Sequence, residues 1–303
     1  MLESFLTYVN RQQALDPVAD WLQKTVGSAF DALGPNSRNV KNFLHGTWMG
    51  HPLHPALTDV PIGAWSAAMG LDLLEWTTGS NELAAGADAA VGIGIMGAIG
   101  AAAAGLTDYH DVGGEQARRV GAMHALLNTG ALVLFSFSLL YRLRGARSIG
   151  RTLGFLGGAT TLLSGHLGGE LVFGQQIGVD HTATIEPPDD FTKVLAADAL
   201  KEGEPQRAEA NGVPIVLVRQ HDHVYALAET CSHQGGPLSE GTVEEGCIIC
   251  PWHGSRYAVD DGSLLDGPST YSQPAFETRI REGQIEVRPM RERAPESVLR
   301  LAA

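Results

Sequence analysis

The stretches CSHQGGP (231–237) and CIICPWHGSRY (247–257) hold all three cysteines of the 303-residue chain, two of them beside histidines. The spacing is Cys231-x-His233, sixteen residues, then Cys250-x-x-His253. Around both stretches the pattern has period two: VPIVLVRQ, HVYALA, CIIC, FETRIR and QIEVRP are separated by Gly, Asp and Asn turns. That alternation predicts short strands and an all-β carboxy-terminal domain, with both Cys–His stretches as loops. Three cysteines within 20 residues exclude the paired framework of a small secreted protein. The thiols read as ligands or as reduced cysteines.

Two thiolates and two imidazoles suit a tetrahedral zinc, or a [2Fe–2S] cluster in which histidines replace cysteines on one iron. The surrounding residues favour iron and sulfur. QGGPL after the first loop permits close backbone approach, and GS-x-Y after the second supplies hydroxyls that can bond to cluster sulfurs. A zinc site needs neither, and the spacing is not that of a finger or ribbon. Cys247 offers a C-x-x-C reading with Cys250, as zinc or dithiol site, but on a strand it reads as a small buried hydrophobe. His221 and His223, in the turn RQHDHV, read as exposed.

On these motifs residues 190–290 resemble a Rieske [2Fe–2S] domain. The resemblance implies that Cys231 and Cys250 hold one iron and His233 and His253 the other, with Gly235, Ser255 and Tyr257 against the cluster. It also implies a subtype. Rieske proteins of cytochrome bc complexes add a disulfide at the positions of Gly236 and Trp252, so the ferredoxin-like branch fits better. Ser255 and Tyr257 match hydroxyls that bond to sulfur in the high-potential branch, which places the expected potential inside the family window of about −150 to +300 mV, above its floor.

Charge is uneven along the chain. Residues 1–185 carry 10 Lys+Arg and 14 Asp+Glu, whereas residues 186–303 carry 11 and 20. The net charge of −13 argues against a nucleic-acid partner and for a basic protein partner. Four apolar stretches lie near 55–76, 84–107, 120–141 and 152–174. Each is long enough to cross a bilayer core of about 30 Å. GIGIMGAIGAAAAG in the second favours close helix packing, and Trp65 and Trp76 suit a membrane interface.

The expected layout is an amphipathic segment (1–50), a four-helix transmembrane domain (51–181), a linker (182–191), the β domain (192–291) and a tail (292–303). GHPLHPALTDVPIGAW resembles a bacterial four-helix membrane family of unknown function, often found with Rieske domains, over residues 46–181. The alternative is a soluble bundle, since Asp72 and Glu75 fall in the first stretch and mean hydropathy is −0.01.

An up-down bundle gathers the histidines at one end: His51, His54 and Asp59, then Asp108, His110 and Asp111, then His124, then His166 and Glu170, with His181 following. His51-x-x-His54 contains prolines and lacks a zincin glutamate. Ionisable groups at membrane depth mark function. The open readings are hydrogen-bonded helix ends, a haem b held by two histidines with His124 and His166 favoured, a quinone pocket, or a non-haem metal site.

Arg142, Arg144, Arg147 and Arg151 at one end balance Arg38, Lys41, Arg118 and Arg119 at the other, so the positive-inside count is a tie. No cleavable or twin-arginine signal is visible, which tips the expectation to termini and β domain on the cytoplasmic side of a bacterial inner membrane.

The resulting function is a membrane-anchored electron carrier, passing single electrons between a redox protein and a quinone, haem or other acceptor. A Rieske oxygenase would need a large domain with a two-His, one-carboxylate iron site after the cluster, and only about a dozen residues follow the last strand. A ferredoxin-type component of an oxygenase or reductase system is the second reading, and a zinc-stabilised membrane scaffold the third. A subunit of a quinol-oxidising bc complex is disfavoured by Gly236 and Trp252.

Overall fold

The apolar stretches form four long helices, preceded by three shorter ones. The computed structural model describes residues 2–290, so the expected tail (292–303) lies outside the described residues. The short helices are α1 (Leu2–Asn10), α2 (Asp16–Asp31) and α3 (Ser37–His45). The long ones are α4 (Leu53–Thr78), α5 (Asn81–His110), α6 (Glu115–Leu143) and α7 (Arg147–Gly169). Helix α7 runs on into one π turn, Glu170–Gly174.

Large apolar side chains such as Ile62, Leu73, Met96, Ile99, Phe137 and Leu162 face outward, while alanines, glycines and an Arg–Asp pair face inward. A soluble bundle has the reverse arrangement. Helices α5 and α6 are each long and apolar enough to cross a bilayer. Helices α4 and α7 carry Asp72 and Glu75, and Arg147 and Arg151, which lower their apolarity.

The long helices are two copies of one hairpin, a relation the sequence reading missed. His54, Pro61, Trp65, Ala68 and Asp72 on α4 recur seventy residues later on α6 as His124, Ala131, Phe135, Ser138 and Arg142. Ala87, Val91, Gly94, Ala101 and Ala104 on α5 recur sixty-three residues later on α7 as Gly150, Gly154, Gly157, Ser164 and Leu167. Apart from the half-buried histidines, every member of both sets is buried.

Equivalent residues meet across the middle of the bundle in three layers. His54 and His124 have ring centres 6.2 Å apart. Trp65 and Phe135 stack at 4.0 Å. Asp72 takes a two-pronged ion pair from Arg142, with Arg142 Nη1 donating to Oδ1 at 2.7 Å. Arg142 also reaches Asp88, and Arg147 and Arg151 close the network onto Asp88 and Glu75.

Helix α2 packs Ala19 against Tyr109, Val112, Ala117 and Ala122. Gln23 Nε2 donates to the carbonyls of Tyr109 (3.0 Å) and Val112 (2.9 Å). Arg119 grips both oxygens of Asp16 and donates to the Asn10 carbonyl, and this contact holds the Asp16 carboxyl below its ordinary range. The amphipathic amino-terminal segment therefore caps the bundle.

A second compact unit begins at Asp180. Its strands are β1 (Thr192–Ala196), β2 (Gln206–Ala210), β3 (Val213–Gln220), β4 (His223–Ala228), β5 (Thr242–Glu244), β6 (Cys247–Ile249), β7 (Arg256–Ala258), β8 (Leu264–Asp266), β9 (Ala275–Arg281) and β10 (Gln284–Pro289). Six form an antiparallel sheet in the order β1-β10-β9-β4-β3-β2, and four a smaller sheet in the order β5-β6-β7-β8.

Strand β3 shows why two cores form. Ile215 and Leu217 point into one apolar cluster, while Val216 and Val218 point into another with Ile248, Tyr257, Val259, Cys231 and Cys250. Asn211 and Gly212, at φ +51° and +88°, make the two-residue turn joining β2 to β3, a conformation that asparagine and glycine tolerate.

Candidate metal centre

The two Cys–His loops have one backbone conformation. Cys231 N–H donates to the Gly236 carbonyl (2.8 Å), and Gly235 N–H returns to the Cys231 carbonyl (2.9 Å). Cys250 N–H donates to Ser255 (2.9 Å), and Gly254 N–H returns to Cys250 (3.1 Å). Gly235 and Gly254 both sit at φ +77°, where a side chain would be strained. The glycine four residues after each cysteine thus closes the loop, which places the histidine at the second or third position.

The loops bring their side chains together in two pairs. Cys231 and Cys250, 1% and 3% exposed, lie in the apolar cluster with their sulfurs in hydrogen-bonding reach. The bond from Cys231 holds the Cys250 thiol at about 7 despite its burial, and the same bond together with burial pushes Cys231 up. The pair therefore favours one negative charge, on Cys250, with Cys231 kept as the thiol that donates to it. His233 and His253 are half-buried at the unit's surface, their ring centres 5.0 Å apart and their planes at 88°.

One hydroxyl, that of Tyr257, reaches a sulfur, and others link to it. Tyr257 O–H lies 3.1 Å from Cys231 Sγ and 3.0 Å from Ser232 Oγ. Burial, and next the neighbouring sulfur, push the Tyr257 phenol well above its ordinary value, so it stays a donor. Ser255 Oγ accepts the Ser269 N–H at 3.0 Å, which leaves its own proton to donate.

Sequence reading missed Ser232, Ser269 and Gln273. Ser232 Oγ bonds Ser269 Oγ (2.9 Å) and the Tyr271 carbonyl (2.9 Å), and Gln273 Oε1 accepts the Ser232 N–H (3.1 Å). The polar run GPSTYSQ (267–273) was the available signal. The segment leading into the unit joins in as well, with His181 N–H donating to the Ser232 carbonyl at 3.1 Å.

This donor set fits a cluster with two soft and two imidazole ligands. A β-carbon at Gly236 would stand 2.9 Å from Cys250 Sγ and 3.1 Å from the Trp252 ring, so the space beside the sulfur is kept open by glycine. Among the described residues no three His, Cys, Asp or Glu side chains converge on a single ion. Cys247 is buried in β6, paired with Glu244 and Ala258, and its sulfur hydrogen-bonds the Glu245 carbonyl at 3.6 Å. His221 and His223 are exposed.

The helical histidines are less gathered than expected. His51 and Asp59 are exposed, and the Glu170 carboxylate folds against Gly174 in its own turn. His110 Nδ1 bonds the Gln23 carbonyl at 3.1 Å. His166 Nε2 is buried and makes no hydrogen bond among the described residues. The ring facing His124 is His54, not the favoured His166. His45, which sequence reading passed over, is buried with Nδ1 2.8 Å from Asp108 and Nε2 3.7 Å from Asp111.

Comparison with known proteins follows this division. The model of the Rieske [2Fe–2S] domain matches residues 190–277, and that of the predicted membrane protein family DUF2231 matches residues 50–181. Ferredoxin CarAc of Metapseudomonas resinovorans is 35% identical over 98 residues, covering 32% of this chain and 92% of the relative. The anthranilate 1,2-dioxygenase ferredoxin subunit of Burkholderia cepacia is 37% identical over 92 residues, covering 30% and 85%. The solved ferredoxin of carbazole 1,9a-dioxygenase from Nocardioides aromaticivorans IC177 aligns at 30% identity, covering 34% of this chain and all of that one, with a TM-score of 0.32.

Likeness to ferredoxin components implies electron transfer through a [2Fe–2S] cluster. The chain belongs to the Rieske [2Fe–2S] family, with a DUF2231 membrane domain ahead of its cluster domain.

Proposed function

We propose that this chain is a membrane-anchored Rieske electron carrier in which Cys231, Cys250, His233 and His253 hold the cluster. Single electrons pass between a redox protein and an acceptor at the membrane, a haem, a quinone or another centre. The observation that carries this reading is the pairing of two buried thiols with two half-exposed imidazoles on loops of one conformation. The cluster, when bound, takes up and returns one electron.

The chain's own residues seal and tune that group. The apolar cluster around Cys231 and Cys250 keeps water from the sulfurs, and the Tyr257 hydroxyl hydrogen-bonds with Cys231 Sγ. The imidazole edge is the side open to a partner. The relatives' names point to an oxygenase or reductase component as that partner. The excess of acidic residues after 186 suits a basic partner face, with association that weakens as salt rises.

Purified full-length protein is expected to hold two irons and two labile sulfides, with a Rieske EPR signal after reduction. One zinc and no sulfide would overturn the reading. Detergent extraction from a membrane fraction tests the anchor, and recovery in the soluble fraction would oppose it.

Tyr257→Phe removes one hydrogen bond to sulfur while preserving ring volume. It is expected to keep the cluster and lower its potential by some tens of mV, since about 1.4 kcal/mol corresponds to about 59 mV for one electron. An unchanged potential by redox titration would show that the phenol does not tune the site.

A further inference from the structure

The layer formed by His54 and His124 has features that its neighbours lack. Each imidazole is fastened through Nδ1 to a main-chain carbonyl of the partner helix of its own hairpin, His124 with the Ser164 hydroxyl as a further contact at 3.0 Å. His54 Nδ1 lies 2.8 Å from the Ala101 carbonyl, and His124 Nδ1 2.9 Å from the Ser164 carbonyl. Ala101 and Ser164 are equivalent positions of the two hairpins. One turn farther on, equivalent glycines make room for the rings. A β-carbon at Gly105 would stand 2.6 Å from His54 Nδ1, and one at Gly168 3.1 Å from His124 Cε1.

A carbonyl oxygen only accepts, so Nδ1 carries the proton in both rings and each Nε2 presents a lone pair. Anchoring of one ring nitrogen to a main-chain carbonyl is the support that metal-ligating histidines commonly have. The rings stand 6.2 Å apart with planes at 90°. Two imidazoles on opposite sides of one metal, at about 2.0–2.1 Å from nitrogen to metal, have ring centres roughly 6.3 Å apart once the ring radius is added.

Nε2 of His54 makes no hydrogen bond within the described residues. Nε2 of His124 takes one from Asn128 Nδ2 at 3.0 Å. That amide is not part of the repeated arrangement: the equivalent residue on α4 is Thr58, whose hydroxyl bonds the Pro55 carbonyl. Asn128 is the group an incoming metal would displace.

From this geometry we infer that His54 and His124 form a second site in this protein, giving two opposed imidazole ligands to one transition-metal centre, either haem iron or a bare ion. As an electron acceptor the centre rests on the carrier function proposed above; as a metal site it does not. Two polar rings facing each other among apolar helices are costly without such a purpose.

The test uses full-length protein purified in detergent from cells supplied with iron and a haem precursor. It reads the dithionite-reduced optical spectrum, a pyridine haemochrome assay and total metal content. Expected is one haem, or one ion beyond the two cluster irons, at close to one per chain. His54→Ala and His124→Ala should each lower its occupancy more than tenfold while the Rieske EPR signal and labile sulfide stay at wild-type levels. His110→Ala should retain the centre.

Sharp reduced bands identify haem, whose ferric EPR signal should be strongly anisotropic because the ring planes cross at 90°. Extra metal without those bands identifies a bare ion. Wild-type protein with no haem and no metal beyond the cluster overturns the site, as does a centre that survives His54→Ala. Because the spectra of the wild type decide on their own, a variant that fails to fold does not rescue the proposal. A missing Rieske signal in the wild type would instead strike the carrier reading and leave the second site standing.

Discussion

His233→Ala and His253→Ala are each expected to abolish the reduced-state Rieske signal, with cluster occupancy falling more than tenfold, and Cys231→Ser and Cys250→Ser to do the same. In the proposed site each residue is one of two protein ligands on its iron, so a single loss would leave that iron half-held. A cluster held there would also tie together two loops closed by few hydrogen bonds. Binding to the folded state alone stabilises it, so the β unit of these variants should unfold at a lower temperature. Cys247→Ala is the control, expected to keep both signal and stability. An unchanged signal in any of the four ligand variants would remove that residue from the site.

Arg142→Ala is expected to destabilise the helical unit by about 3–5 kcal/mol, because it leaves the Asp72 carboxylate buried without its partner. Asp72 is 1% exposed and the Arg142 side chain wholly buried. For a unit of this size that corresponds to roughly 10 °C in the unfolding midpoint. Replacing both residues together, by Asp72→Leu and Arg142→Met, should restore most of the loss, since neither charge then remains uncompensated. Thermal unfolding in detergent, followed by helical circular dichroism, reads both. If Arg142→Ala left the midpoint unmoved, the pair would have to be reached by water.

The β half was legible because its chemistry is local. Each loop carries its own cysteine, histidine and closing glycine within six residues, and the four longest strands, β3, β4, β9 and β10, were visible as alternation, with β6 marked by CIIC, whereas β1 and β2 were not read. Strands β5, β7 and β8 have three residues each, too few for a period to show. Ser269 and Gln273 reach the first loop from a turn about forty residues away, which only the folded chain reveals.

The helical half was legible as spans but not as a repeat. Apart from the recurring histidine and a few glycines, its copies share buried positions rather than residue types, with tryptophan answering phenylalanine and aspartate answering arginine. The sequence favoured His124 with His166, the histidine lying deepest in the fourth span. The partner is set by which helices oppose each other across the bundle, and α4 and α6, separated by one hairpin, are the pair that does.

The Asp72–Arg142 layer has a consequence for how such a bundle can be assembled. Two molecules of the first hairpin meeting face to face would press carboxylate on carboxylate, and two of the second would press guanidinium on guanidinium, like charges without water to separate them. Only one hairpin of each kind satisfies that layer. The divergence of a single residue in each half thus commits the halves to each other and forbids the self-paired forms from which a duplicated bundle could otherwise be built.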